Sequence, residues 1–225
     1  LKKRIVLSWS GGKDCCLALD TLTSQGYEIA ALVTTVPQEI GRTFGHGERM
    51  EMIQLQAEAL TIPVHFIKTS FEDYTVRFIQ ELQLLKEQLN ISGIAFGDLY
   101  LQEHRDWGEK VAAAAGVEAF YPLWTHQAMV DTLLESFIQT GYQAVIIRVL
   151  NDILPDSWLG RLIDSKFLLD IQNTASCPLG ESGEYHSFVF DGPLFTKKIE
   201  LKQGKIIELE TTKKLEFSDY QLIPK

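Results

Sequence analysis

SWSGGKDCC, residues 8–16, directly follows the apolar run Ile5-Val6-Leu7 and packs two glycines, a lysine, an aspartate and two cysteines into nine positions. A P-loop would need a glycine five residues before Gly12, and that position is Leu7. The dinucleotide fingerprint needs glycines two apart, whereas Gly11 and Gly12 are adjacent. What remains is a strand that ends at Ser10, a backbone free to approach a ligand closely, and a helix that starts near Lys13. Amide groups at a helix start point outward, and the helix dipole adds partial positive charge there. Lys13 adds a full charge, and the Ser8 and Ser10 hydroxyls are donors, so an anion of pyrophosphate size fits the nest. Asp14 suits a magnesium ion carried on phosphates, bound directly or through water. A Gly-Gly turn with a helix-capping serine fits the same residues.

The first half of the chain alternates strand and helix signals. Short strands are expected at RIVLSW (4–9), EIAALVTTV (28–36), VHFIKT (64–69), GIAFGD (93–98) and EAFYPLW (118–124). Helices are expected over about 13–24, 48–60, 71–89 and the alanine-rich segment before Gly116. EIAALVTTV is continuously apolar rather than alternating, which reads as a strand buried on both faces. This order predicts a doubly wound α/β fold with a mostly parallel five-stranded sheet. Ligands of such sheets bind beyond the carboxyl ends of the strands. Three glycine- or charge-rich segments stand there: 10–14, 41–49 and 97–105.

Beyond residue 125 the pattern changes to one helix and several β-like runs, with Gly204 expected at a hairpin turn. This predicts a smaller α+β domain over 126–225 after a first domain over 1–125, with no flexible linker. The net charge of −9 disfavours a nucleic-acid surface. Three cysteines without a CxxC pair favour reduced thiols over a disulfide framework, zinc ribbon or iron–sulfur centre. No apolar run approaches the roughly 20 residues of a membrane span. The basic start LKKR leads into too short an apolar run for a signal peptide, so a cytoplasmic protein is expected.

Other residue types point to chemistry, each with a plainer account beside it. Asp98 ends the fourth strand, where a carboxylate faces a bound phosphate or caps the next helix. Arg105 and Glu109 are four apart on one helix face, the spacing of a surface ion pair. In GEYHSFVFDG (183–192) the strand period puts Glu184 and His186 on one side with Phe188 and Phe190. Such a pair suits acid–base work or amine binding, or is a satisfied structural pair.

SGGKD after a first strand resembles the PP-loop of the N-type ATP pyrophosphatases. The segments GDLYLQEHRDWGEKVAAAAGVEAFYPLW, DSWLGR and GESGEYHSFVFDGPLF resemble the diphthine–ammonia ligase family more specifically. FGHGERMEMIQLQAEAL is most similar to its bacterial members. The resemblance spans most of residues 4–195 and implies an adenine nucleotide alpha hydrolase-like fold. It also implies ATP with Mg²⁺, adenylation of a substrate carboxylate, release of pyrophosphate, and attack by ammonia to form an amide. Diphthine on elongation factor 2 is the implied acyl substrate.

Residue by residue, it implies nucleotide contacts at Ser8, Ser10, Gly11, Gly12, Lys13, Asp14 and Cys15, where the family usually carries serine in place of Cys15. Val33 and Thr34 would lie against adenine, and Gly97 beside the nucleotide. Asp14 and Asp98 would serve the metal, and His104, Arg105 and Glu109 would line the substrate site. Glu181, Glu184, Tyr185 and His186 would bind substrate, with Lys13, Asp98, Glu184 and His186 acting in catalysis. Asp156, Trp158, Gly160 and Arg161 match a further family block without individual roles. Cys177 stands two residues further from Gly180 than the family's cysteine, which removes the basis for a role there. Three rival readings are a tRNA-modifying PP-loop enzyme, a hydrolase using Cys15 or Cys16 as nucleophile, and a non-catalytic adenine-nucleotide-binding protein. Oligomeric state is left open, a homodimer included.

Overall fold

The computed structural model describes residues 3–225, so Leu1 and Lys2 of the basic start lie outside it. The first part runs β1 (Arg4–Ser8), α1 (Lys13–Ser24), β2 (Glu28–Pro37), α2 (Met50–Leu60), β3 (Val64–Thr69), α3 (Tyr74–Leu89), β4 (Gly93–Ala95), α4 (Gln102–Ala115) and β5 (Glu118–Phe120). All five strands are parallel, in the order β3-β2-β1-β4-β5. The direction of winding therefore reverses between β1 and β4, and the crevice beyond their carboxyl ends is the switch point.

The two-residue period of β1 sorts its side chains to two cores. Ile5 and Leu7 join Leu19, Ile53 and Leu60 of α1 and α2, while Val6 joins Phe78, Leu82 and Val111 of α3 and α4. Each of these side chains is almost wholly buried, which contributes about 1.5–3 kcal/mol apiece by area burial. Helix α3 begins at Tyr74 rather than near Phe71 because Ser70 and Asp73 bond each other in a preceding turn. Strand β4 stops at Ala95; Phe96 N–H still donates to the Phe120 carbonyl, and the chain then passes so close to α1 that a Cβ on Gly97 would lie 3.2 Å from Cys15 N.

The second part comprises α5 (Val130–Gln139), β6 (Gln143–Leu150), α6 (Ser165–Ile171), β7 (Tyr185–Asp191), β8 (Lys197–Glu208) and β9 (Thr212–Pro224). Its sheet is antiparallel, in the order β7-β6-β9-β8. Gly204 does not turn the chain. It sits inside β8 opposite Phe217, and the turn comes at residues 209–212. A side chain at Gly204 would meet Leu215 at 2.7 Å, so the glycine serves close cross-strand packing.

One apolar cluster continues from β1 and α1 through α5 into β6 and β7. The junction is hydrogen-bonded too: Val189 N–H donates to the Gly11 carbonyl (2.9 Å), and Lys13 N–H donates to Ser187 Oγ (3.1 Å). Strand β7 of the second sheet thus braces the loop between β1 and α1.

Candidate active site

A cavity of about 240 Å³ opens at the switch point. Its walls come from residues 8–15, β2, the loop after it, the start of α3, the β4–α4 turn with the first turn of α4, the turn before β7, and the start of β7. Val33, Thr34, Phe44, Tyr74 and Phe96 line it together with the polar Ser10, Asp14, His46, Asp98, His104, Glu181 and His186.

The glycine loop has the geometry its sequence calls for. Gly11 has φ +83°, and a Cβ there would lie 2.6 Å from Gln56 Oε1, so both conformation and space require glycine. Its carbonyl accepts from Gln56 Nε2 and from Val189 N. Gly12 caps α1 in an extended conformation without a side-chain cap. Ser8, Ser10, Asp14 and Cys15 line the cavity, as do Val33, Thr34, Gly97, Asp98, His104, Glu181 and His186. The Cys15 thiol donates to the Gly12 carbonyl at 3.1 Å.

Several side chains expected at the site point elsewhere. Lys13 is 2% exposed and does not line the cavity. Its ammonium donates to the Leu179 carbonyl and to Asp14 Oδ2 (2.9 Å), above the Tyr185 ring. It thereby ties the segment carrying Gly180 and Glu181 to the glycine loop. Tyr185 is buried behind it, its hydroxyl donating to the Pro178 carbonyl. Glu184 does not pair with His186: its two oxygens accept from the amides of Cys177 and Ser182 and close the turn before β7. Arg105 and Glu109 form an ion pair at 2.8 Å outside the cavity, with the guanidinium over Trp124 and Tyr121. In the 156–161 block, Trp158 is core and Arg161 pairs with Asp170 of α6, which gives that block a packing role. Cys177 Sγ accepts from the Tyr100 hydroxyl and does not line the cavity.

The sequence reading missed Phe44, His46, Tyr74 and Phe96. The first two belong to the glycine- and charge-rich segment 41–49, flagged as a whole without either residue singled out. Tyr74 gives no sequence signal, since it looks like any helix-start aromatic.

The carboxylates crowd one another. Asp98 Oδ1 lies 3.3 Å from His104 Nδ1, and ligand atoms of Asp98, His104 and Glu181 all fall within 4.8 Å of each other. Burial pushes Glu181 up to about 7, with the Asp14 and Asp98 charges adding to the rise against its bond from Leu99 N–H. Burial likewise raises Asp14, the Lys13 ammonium opposing and Asp98 reinforcing it. Oxygen donors whose mutual repulsion is relieved by a cation fit Mg²⁺. His104 is raised by its bond to Asp98, burial opposing, and acts as that carboxylate's partner.

A doubly wound sheet whose first βα turn is a glycine-rich nest at the switch point defines an α/β protein of the PP-loop class. The chain belongs to the diphthamide synthase family: its residues 2–119 match the model of the diphthamide synthase N-terminal domain and 130–222 that of the C-terminal domain. Similar proteins include the diphthine–ammonia ligases of Bos taurus and Homo sapiens, each 29% identical over 91% of this chain and 85% of their own length. That of Danio rerio is 27% identical over 87% of this chain and 85% of its own. Among the described residues, no helix is long and apolar enough to cross a membrane.

Proposed function

We propose that this chain is a cytoplasmic ATP-dependent ligase that activates a substrate carboxylate as its adenylate and converts it to an amide with ammonia. Diphthine on elongation factor 2 is the proposed acyl substrate, with residues 1–125 holding the nucleotide and 126–225 contributing to the substrate site. The observation that carries this reading is the switch-point cavity, which Ser8, Ser10, Asp14 and Cys15 of the glycine loop line together with aromatic side chains and the carboxylates of Asp98 and Glu181. Membership of a family whose curated members are named diphthine–ammonia ligases supports it.

In this reading Phe44, Tyr74 and Phe96 take the adenine beside Val33 and Thr34, and the Ser8 and Ser10 hydroxyls contact phosphate. Asp14 and Asp98 would hold Mg²⁺, which when bound offsets charge on the leaving pyrophosphate. Lys13 keeps Gly180 and Glu181 in place. The carboxylate oxygen attacks the α-phosphorus, and the bond from that phosphorus to the pyrophosphate breaks. Asp98 and Glu181 draw ammonium in, and Glu181 takes the proton it gives up. A C–N bond then forms as the C–O bond to AMP breaks.

The test is ATP–pyrophosphate exchange dependent on diphthine-bearing elongation factor 2, with the diphthine carboxylate labelled in oxygen-18. Label in AMP is the expected result. Turnover with no label in AMP would rule out adenylation.

A further inference from the structure

We infer that His46 and His186, packed against each other beside the glycine loop, form a subsite for the terminal phosphates of the nucleotide, with the Arg148 guanidinium acting on them from outside the cavity lining, and take up protons from solvent as that anion arrives. This rests on the ATP reading above and extends it, because the second domain then supplies part of the polyphosphate site.

The two imidazoles come from separate parts of the chain, the loop after β2 and strand β7, and both line the cavity. Their ring centroids are 4.5 Å apart with planes at 41°. His46 lies against the glycine loop so closely that a Cβ on Gly12 would be 2.5 Å from its Cε1. Its tautomer follows from its partner. Nδ1 is 3.1 Å from the Ser187 carbonyl oxygen, which only accepts, so Nδ1 carries the proton and Nε2 keeps its lone pair. Among the described residues the His186 ring has no hydrogen-bond partner.

The charges around the pair point to an anion. Lys13 of α1, Arg148 of β6 and Lys214 of β9 all act on it. Lys13 is compensated by Asp14 at 2.9 Å, and Lys214 by Glu48 at 2.6 Å. Arg148, the cross-strand neighbour of His186, stands outside the cavity lining and donates to the Thr212 hydroxyl and the Gly45 carbonyl. Among the described residues it has no carboxylate within ion-pair reach. Burial, then these cations, hold His46 down to about 3 and His186 well below the usual imidazole range. The acids of the cavity wall are Asp14, Asp98 and Glu181, the last on the segment leading into β7. The Arg148 charge acting on both rings disfavours an ammonium next to them, which argues against the amine-binding role read for His186 from sequence.

A phosphate reverses that field. Its negative charge favours the imidazolium, and each ring then offers a charge-assisted N–H···O bond. The protons come from solvent on binding and return to it when pyrophosphate leaves, with no other bond made or broken.

Isothermal titration calorimetry of the full chain near neutral pH, in two buffers of different ionisation enthalpy with magnesium chloride present, counts the protons. Inorganic pyrophosphate and ATP should each bind with uptake of about one proton or more, and AMP with none. His186→Asn and His46→Gln should each reduce the uptake and weaken pyrophosphate about tenfold. Arg148→Gln should weaken pyrophosphate similarly. Unchanged AMP affinity in all three shows that they are folded. Pyrophosphate binding without proton uptake, equal uptake with AMP, or variants indistinguishable from the parent would overturn the subsite and leave the ATP reading standing. If neither ATP nor AMP binds, the ATP reading falls and the subsite with it.

Discussion

Cys15 occupies the first turn of α1 with its thiol bonded to the Gly12 carbonyl and accepting from Ser10 Oγ at 3.6 Å. Burial raises this thiol, but bonds from Cys16 and Ser10 outweigh it and the net shift is downward. A hydroxyl can make the same bond to Gly12, so Cys15→Ser should leave pyrophosphate exchange within about threefold of the parent, which initial rates will check. Loss of all activity would instead support a thiol nucleophile. The cavity's carboxylates separate into two roles. Asp98→Asn should lower exchange about a hundredfold, because one of the two carboxylates proposed to hold Mg²⁺ against the leaving pyrophosphate loses its charge. Glu181→Gln should keep exchange but raise the KM for ammonia about tenfold, read from amide formation. His46 has a consequence for stability. Its folded value of about 3 lies below the free value of 6.5, so between these pH values the unfolded chain holds a proton that the folded chain refuses. Stability should therefore fall as pH drops from 6.5 towards 3. Melting temperatures followed down to pH 4 should fall less steeply in His46→Gln.

The β1–α1 turn is the element on which the site depends. At Gly11 an alanine would carry a strained positive φ and press on Gln56 and Ile53. Gln56 has no freedom to yield: it donates to the Gly11 and Val189 carbonyls and accepts from the Trp9 indole. Gly11→Ala should cost about 1–3 kcal/mol in denaturant unfolding and lower ATP affinity at least tenfold by calorimetry. Elements were legible in sequence where their signals are local. The boundaries of α1 and β3 match because a glycine pair, a Gly26 stop and a run of β-branched residues act within a few positions. The hairpin placed at Gly204 failed because a glycine signals a turn and a close strand contact equally, and only Leu215 across the ladder distinguishes them.

At the scale of the molecule, the second sheet holds the loop that walls the cavity. Glu48 and Lys214 pair at 2.6 Å with side chains only 6% and 5% exposed, and Arg49 donates to the Phe217 carbonyl nearby. Lys214→Met would leave a buried carboxylate without its cation, and should cost about 3–5 kcal/mol by urea unfolding. Lys214→Met with Glu48→Leu should recover most of that loss, since both charges are then gone. Apolar periodicity, helix stops and the glycine pair carried the parallel sheet, the switch-point crevice and the residues whose backbone lies in it. These depend on interactions between near neighbours, which the order of residues records directly. Where the long side chains point was decided only on folding. Lys13 turns under the cavity to meet Leu179, 166 residues away, and Ser187 reaches its amide across 174. Glu184 goes to two backbone amides, and His46 meets His186 from another sheet. A flexible charged or aromatic side chain settles on whatever partner satisfies it in the buried state, and that partner is brought near by packing rather than by sequence distance.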